Sequence, residues 1–348
     1  MKAIALMCCA LAFSGAGRCQ KDDMEHQAFQ VGAINYFGYG DLPLDKVRAA
    51  LPLHVGDTLT QATFSKQPTM EAVTSVIGKP PTDVNVTCCI GAEKLEVFIG
   101  LPGSTSKAVP KASALTGDTR LDPEGMRLYQ QMQPLLGQTV ARGAGGEDDS
   151  QGYMISKDPA LKAVNLAMRT YAMRREASLR HVLQTARDAE DRRAAAALLG
   201  YARRSRTQVE ALSGAMNDPD EEVRNNAVRA LEVLAASRAK NPVQISVEPL
   251  VRLLYSGVWT DRNKASLLLM RLTDARDPGM LASLRKEAMG PLVEGASWVD
   301  VPGHSTPFLV ILARIGGITN DKLAELLTSG NNDAIIAAAI SSDGRAVP

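Results

Sequence analysis

The chain has 348 residues, 45% of them apolar, with 39 Lys and Arg against 38 Asp and Glu. That balance excludes a strongly charged disordered chain and a broadly basic nucleic-acid-binding one. The length suits two domains, on a prior of roughly 150 residues each. Aromatic residues make up only 4% while Ala and Leu abound, which favours helices over an all-β sandwich.

The chain opens with Lys2, an apolar run from Ala3 to Phe13, and Ser14-Gly15-Ala16. A basic start, a short apolar core and small residues at a cleavage position predict a secretory signal peptide over 1–16. The run is too short to span about 30 Å of hydrocarbon. No small residue precedes Cys8 or Cys19, so lipid anchoring is not signalled. The expectation is an exported protein, periplasmic or secreted, with 17–28 a disordered start. Cleavage removes Lys2 and leaves basic and acidic residues equal at 38. Cys8 and Cys9 leave with the signal. Cys19, Cys88 and Cys89 remain in an oxidising compartment. Adjacent Cys88 and Cys89 on a strand point to opposite faces, which leaves a bridge from Cys19 to one of them or three thiols.

Residues 29–101 predict a small α+β domain. Phe29-Val31-Ala33 alternates as a strand. Leu44, Val47, Ala50 and Leu51 repeat with helical spacing behind Asp41-Leu42-Pro43. A second helix covers 67–77 and stops at Gly78. Val84 to Thr87 and Leu95 to Ile99 are strands. The order is β-α-α-β-β. With Gly38-Tyr39-Gly40 after the first strand and Leu51-Pro52-Leu53-His54-Val55-Gly56-Asp57 after the first helix, it resembles the POTRA domain, a periplasmic docking module. That resemblance implies binding through an exposed sheet edge, which accepts a partner strand by backbone hydrogen bonds.

Residues 102–121 are rich in Ser, Thr, Lys, Pro and Gly, a linker by composition. The domains on either side, 29–101 and 122–345, are therefore expected to fold independently. Asp122-Pro123 starts a helix as an N-cap followed by proline. Its stripe of Met126, Tyr129 and Met132 must face something. Residues 122–156 form a helical connector whose loop from Gly143 to Gly152 holds Glu147-Asp148-Asp149. The loop lacks calcium-site spacing and is read as solvated.

From Lys157 the pattern is a helical repeat over 157–345. Arg192 is followed by Ala195, Leu198, Leu199 and Ala202. Arg224 is followed by Ala227, Ala230, Leu231 and Leu234, and Arg262 by Ala265, Leu268, Leu269 and Leu272. The offsets are the same each time and fall on one helical face. Phe308, Ile311, Leu312 and Ile315 continue the spacing with Ser305 in place of the arginine. Ala334, Ala337 and Ala338 form a weaker fifth unit. Asn217-Asp218-Pro219-Asp220-Glu221-Glu222-Val223-Arg224-Asn225-Asn226-Ala227 resembles HEAT repeats, including the HEAT-like units of phycobiliprotein lyases. Asp218, Asp220, Arg192, Arg224 and Arg262 are accordingly read as structural: an acid in the turn caps the second helix, and the arginine pairs with an acid in an adjacent turn. The predicted fold is mostly α, a C-terminal α-solenoid of HEAT-like helix pairs preceded by the small POTRA-like α+β domain.

No nucleophile, phosphate-loop, dinucleotide or zinc motif stands in its required context. His26, His54, His181 and His304 have no ligand partners at metal spacing. No catalytic residue, cofactor or metal is therefore expected. Arg180, Arg187, Arg203, Arg204 and Arg206 form a candidate basic patch for an acidic protein or an anionic envelope component. Export disfavours nucleic acid, and no stretch suits a transmembrane segment. The reading is an exported, non-catalytic scaffold that binds a protein through the solenoid's concave face, supplied by the second helices or the turns beside them, and through the sheet edge. Two rivals stand beside it: an enzyme or enzyme subunit using the 290–307 insertion with His304, and a structural spacer.

Overall fold

The computed structural model describes residues 28–60, 64–90, 94–108, 115–141, 145–237, 244–299 and 303–341. The signal segment, Cys19 and His26 lie outside these residues, as do the side chains of Cys88 and Cys89. The described chain is mostly helical with a small N-terminal sheet, as the sequence predicts. It divides into two compact units. One holds the described parts of 28–108, 254–263 and 275–341, and the other those of 115–253 and 264–274.

The sheet unit begins with β1 (Phe29–Phe37), α1 (Leu44–Ala50), β2 (Thr58–Leu59), α2 (Gln67–Ile77), β3 (Asp83–Ile90) and β4 (Lys94–Gly100). The sheet order is β2-β1-β4-β3. β1 runs parallel to β4, with Ile34 beside Val97, and β3 runs antiparallel to it, with Val84 beside Ile99. The inward positions Val31, Val97 and Ile99 bury against Val47 of α1 and Val73 of α2. α2 ends at Gly78, whose φ of 72° is a left-handed cap that glycine adopts without cost.

The second unit holds α3 (Pro123–Ala141), the two-residue strands β5 (Glu147–Asp148) and β6 (Ile155–Ser156), α4 (Pro159–Thr185), α5 (Ala189–Leu199), α6 (Arg206–Ala215), α7 (Glu221–Ala236) and α8 (Glu248–Leu254). Acids and hydroxyls start these helices by accepting N–H groups that have no helical partner. Asp158 caps α4, Asp188 caps α5, Ser205 caps α6 and Asp220 caps α7. Leu198, Leu199, Leu231 and Leu234 are fully buried, so the repeat phase holds where α5 packs on α7. The end of α5 lies so close to α7 that a Cβ on Gly200 would meet the Ala230 Cβ at 2.9 Å.

The chain crosses between units within α9 (Trp259–Leu272). It then forms α10 (Pro278–Ala296), α11 (Thr306–Ile315), α12 (Asn320–Thr328) and α13 (Asn332–Ser341) in the sheet unit. Phe308, Ile311 and Leu312 are fully buried. In α13 the expected phase is off by one residue: Ile335 and Ala339 are buried, whereas Ala337 is exposed.

The linker and the domain boundaries differ from expectation. Gly103 donates to the Gly38 carbonyl at 2.8 Å and Lys107 to that of Tyr255 at 2.7 Å. Residues 102–108 thus belong to the sheet unit. Gly117 donates to the Thr185 carbonyl at 3.1 Å, and Arg120 pairs with Asp188 and Asp191 at 2.6 and 3.0 Å. Residues 115–121 thus belong to the repeat unit, and of the expected linker only 109–114 lie outside the described residues. The sheet is also no separate domain. Glu294 of α10 accepts from the N–H groups of Gly38 and Gly40 at 2.8 and 3.0 Å.

Candidate functional site

The five structural positions form one repeating device. Arg192, Arg224 and Arg262 each donate to the carbonyl six residues back, those of Ala186, Asp218 and Ser256, at 3.0, 2.8 and 2.7 Å. The arginine thereby ties its helix to the turn before it. Arg192 also reaches the next turn, giving two bonds to the Asp218 carboxylate at 2.8 and 3.0 Å, with both side chains buried. Asp220 divides its carboxylate between the α7 cap and Arg193, at 2.8 and 2.6 Å. Burial raises its pKa, but Arg193 and the cap N–H groups lower it more, so the net shift is downward. Asp218 itself does not cap a helix. It orders the turn by accepting from Asp220 N at 2.9 Å.

In the sheet unit, Arg262 pairs with Glu294 at 3.0 Å and reaches the Thr105 carbonyl at 2.6 Å. Burial pushes the guanidinium down to about 10, opposed by the Glu294 carboxylate, and it stays charged at neutral pH. The sequence reading missed Glu294. Its signal was a lone acid in the small and apolar run Leu292-Val293-Glu294-Gly295-Ala296.

The described residues on either side of 300–302 are tied to the sheet. Trp298 Nε1 donates to the Tyr36 carbonyl at 2.9 Å, and Val299 exchanges two bonds with the Asn35 amide at 2.8 and 3.1 Å. His304 Nδ1 lies 2.6 Å from Glu96 Oε2, with both side chains buried. Its ring meets the rings of Phe98 and Trp259 edge-on at 5.4 and 5.1 Å. His304 is thus packed as a fastener between sheet and insertion. His181 is exposed, and His54 lies 3.8 Å from Asp57 on the surface. Among the described residues no group of His, Cys, Asp and Glu is arranged to hold a metal ion. None of the described helices is long and apolar enough to cross a membrane.

The arginines of the expected basic patch are spread among separate partners. Arg180 lies 3.7 Å from Glu176, Arg187 lies 3.4 Å from Asp118, and Arg206 bonds Glu210 at 2.7 Å. Arg204 turns away to the Leu234 carbonyl and the Ser237 hydroxyl, and burial lowers its pKa. Arg203 is exposed.

The second-helix face is closed. Past Glu190 and Glu221, no residue of α5 or α7 is exposed. The chain's own connector covers it. The α3 stripe of Tyr129 and Met132 is buried here, and α3 packs on both α4 and α5. Tyr129 donates to Glu222 at 3.0 Å, and burial with the Glu222 carboxylate raises its pKa. Gln130 donates to Glu190 at 3.2 Å. The acidic loop keeps Asp148, Ser150 and Gln151 exposed as expected, while Glu147 pairs with Arg229 of α7 at 2.5 Å and Asp149 lies 3.9 Å from Arg271. The open surface is instead the first helix of the first pair, α4. Shallow grooves of about 560 and 500 Å³ run between it and α3, floored by Leu135, Val164, Ala163 and Ala167.

Apolar offsets thus repeat on a 32- to 38-residue unit, with acid-capped helices and an arginine bound to the turn before its helix. Residues 176–271 match the family model of HEAT repeats. The matched HEAT segment runs from late α4 to α9 and contains Arg192, Asp218, Asp220, Arg224 and Arg262. A designed armadillo repeat protein is similar at 17% identity and a TM-score of 0.35, over 62% of this chain and 100% of that one. A computationally designed armadillo repeat protein for modular peptide recognition is similar at 18% identity and the same TM-score, over 62% of this chain and 98% of that one. No curated protein matches the sequence.

Proposed function

We propose that this chain is an exported, non-catalytic scaffold that binds another protein. HEAT-like repeat units are stacked supports for extended binding surfaces. The observation that carries the reading is the contrast within the repeat unit: α5 and α7 are closed by the chain's own connector, while α4 keeps a broad open face beside an apolar groove. Docking is therefore assigned to α4 rather than to the second helices. A second surface is the sheet edge. Among the described residues β3 pairs only with β4, which leaves its outer backbone groups open to a partner strand. The β-α-α-β-β order supports a POTRA-like docking role for this module, with the two-residue β2 as an addition. Export rests on Lys2, the apolar run and Ser14-Gly15-Ala16.

The test is affinity capture of the tagged full chain from its native envelope, with intact-mass analysis of the recovered protein. The reading expects a loss of about sixteen residues and one protein enriched in stoichiometric amount. A chain that still begins at Met1 would remove export. Capture of no protein above background would remove the scaffold and favour the structural spacer.

A further inference from the structure

We propose that the outer face of α4 is the docking surface for an acidic amphipathic helix of a partner protein. The inference rests on the scaffold reading and names the surface and the chemistry of its partner. Leu166 and Met173 are 43% and 40% exposed. They are two of the few large apolar side chains that the described residues leave so open, and they stand seven residues apart on one helix. Ala163, Ala167, Thr170 and Ala177 are also exposed and share that side. From Ala163 to Ala177 the stripe runs about 21 Å, at 1.5 Å per residue. It merges with the groove against α3 at Val164 and Leu135. Three to four turns of an apolar helix face match that length, with anchors at i, i+3 or i+4, and i+7.

The charge beside the stripe selects the partner's sign. Lys162, Arg169 and Arg180 lie along one flank, seven and eleven residues apart. The turn after α5 runs alongside, fixed by Arg169 on the Tyr201 and Ala202 carbonyls at 2.5 and 2.6 Å and by Ser205 on Glu176 at 3.2 Å. That turn brings exposed Arg203 to the same flank. Four cations thus stand there against Glu176, 3.7 Å from Arg180, and Asp148, within electrostatic reach of Lys162. Arg169 spends its hydrogen bonds on neutral carbonyls, so its charge is not cancelled. On the other side, Arg174 and Arg175 already have Glu124 and Asp122 at 3.0 and 3.9 Å. A helix with Leu or Ile on one face and Glu or Asp beside it complements both the stripe and the cationic flank.

The probe is a fluorescein-labelled 21-residue peptide with Leu at heptad-spaced positions and Glu on the flanks, titrated against the full chain by polarisation. A second peptide carries Lys in place of each Glu. The expected result is saturable binding of the Glu peptide, weakened about tenfold or more by Leu166→Asp with Met173→Asp, and again by Lys162→Glu with Arg203→Glu. All four residues are solvent-facing, and an unchanged circular-dichroism melt checks that each variant folds. Binding should also fall between 50 and 200 mM salt. Equal binding of both peptides, or Glu-peptide binding that the variants leave unchanged, overturns the proposal. So does a dimer of the free chain that the Leu166→Asp variant dissociates, because the occupant is then a second copy. So does binding to phosphatidylglycerol vesicles with none to the peptide. A captured partner that still binds the variants refutes this surface and leaves the scaffold reading standing.

Discussion

Replacing Asp218 by Ala tests whether the repeated arginine and its acid hold successive HEAT-like units together. The Asp218 and Arg192 side chains are each 5% exposed and share two bonds. Without the carboxylate, the guanidinium keeps the Ala186 and Arg187 carbonyls but remains a buried cation that has lost its bonded counter-charge, with only the longer-range field of Asp188 left to it. Breaking a buried pair from one side costs about 3–5 kcal/mol. The lost acceptor for Asp220 N–H falls within that figure, since neighbouring losses do not add. The control is Glu124→Ala, which breaks the exposed Arg174 pair and should cost about 1 kcal/mol or less. Arg192→Leu combined with Asp218→Leu removes both charges and should cost less than the two single changes summed. Urea titration followed by circular dichroism reads all five variants. An Asp218→Ala loss no larger than that of Glu124→Ala would refute the buried-pair argument.

Leu231→Ala should cost about 2–5 kcal/mol in the same titration, because the side chain is fully buried. Glu232→Ala should cost about 1 kcal/mol or less, because its side chain bonds the half-exposed Arg271 at 2.9 Å. Gly103→Ala should disrupt the sheet unit, since a Cβ there would lie 2.0 Å from the Tyr39 carbonyl oxygen, whereas Gly214→Ala meets nothing within 4 Å and should gain about 0.5–1 kcal/mol. Asp188 is held below the usual carboxylate range by Arg120, and Asp220 by Arg193 against the opposing effect of burial. A depressed carboxylate stabilises the fold above its unfolded value, so stability should stay flat from pH 7 to about 5 and fall below about 4. A fragment of residues 28–108 should lack a cooperative thermal transition, because Glu294 and Val299 are needed to satisfy Gly38, Gly40 and Asn35; a sharp melt would restore the independent domain.

The sequence announced the elements wherever a pattern had polar residues to set its phase. Arg192, Arg224 and Arg262 marked three second helices because the apolar offsets after them are the same and polar residues fill the gaps. In α13 the run Ala334-Ile335-Ile336-Ala337-Ala338-Ala339 has no polar residue to fix the phase, and the expected stripe missed by one. The linker misled for a different reason. Its ties are backbone bonds, Gly103 to Gly38 and Gly117 to Thr185, and backbone groups are the same in every sequence. The closing of the second-helix face was equally hidden. It depends on single polar pairs such as Tyr129 with Glu222 and Glu147 with Arg229, which no local spacing announces. The Arg180 to Arg206 cluster was dense in sequence, yet side-chain direction sent Arg204 into the protein and Arg203 to the surface.

Cross-linking mass spectrometry of the captured complex tests the scaffold account most directly. A zero-length carbodiimide reagent joins amines to carboxylates, and Lys162 stands at the start of the open α4 face. The account predicts cross-links between Lys162 and acidic residues of a single partner protein, suppressed when Leu166→Asp and Met173→Asp are introduced together. A partner joined only through residues outside the two folded units, with Lys162 unmodified, would contradict it.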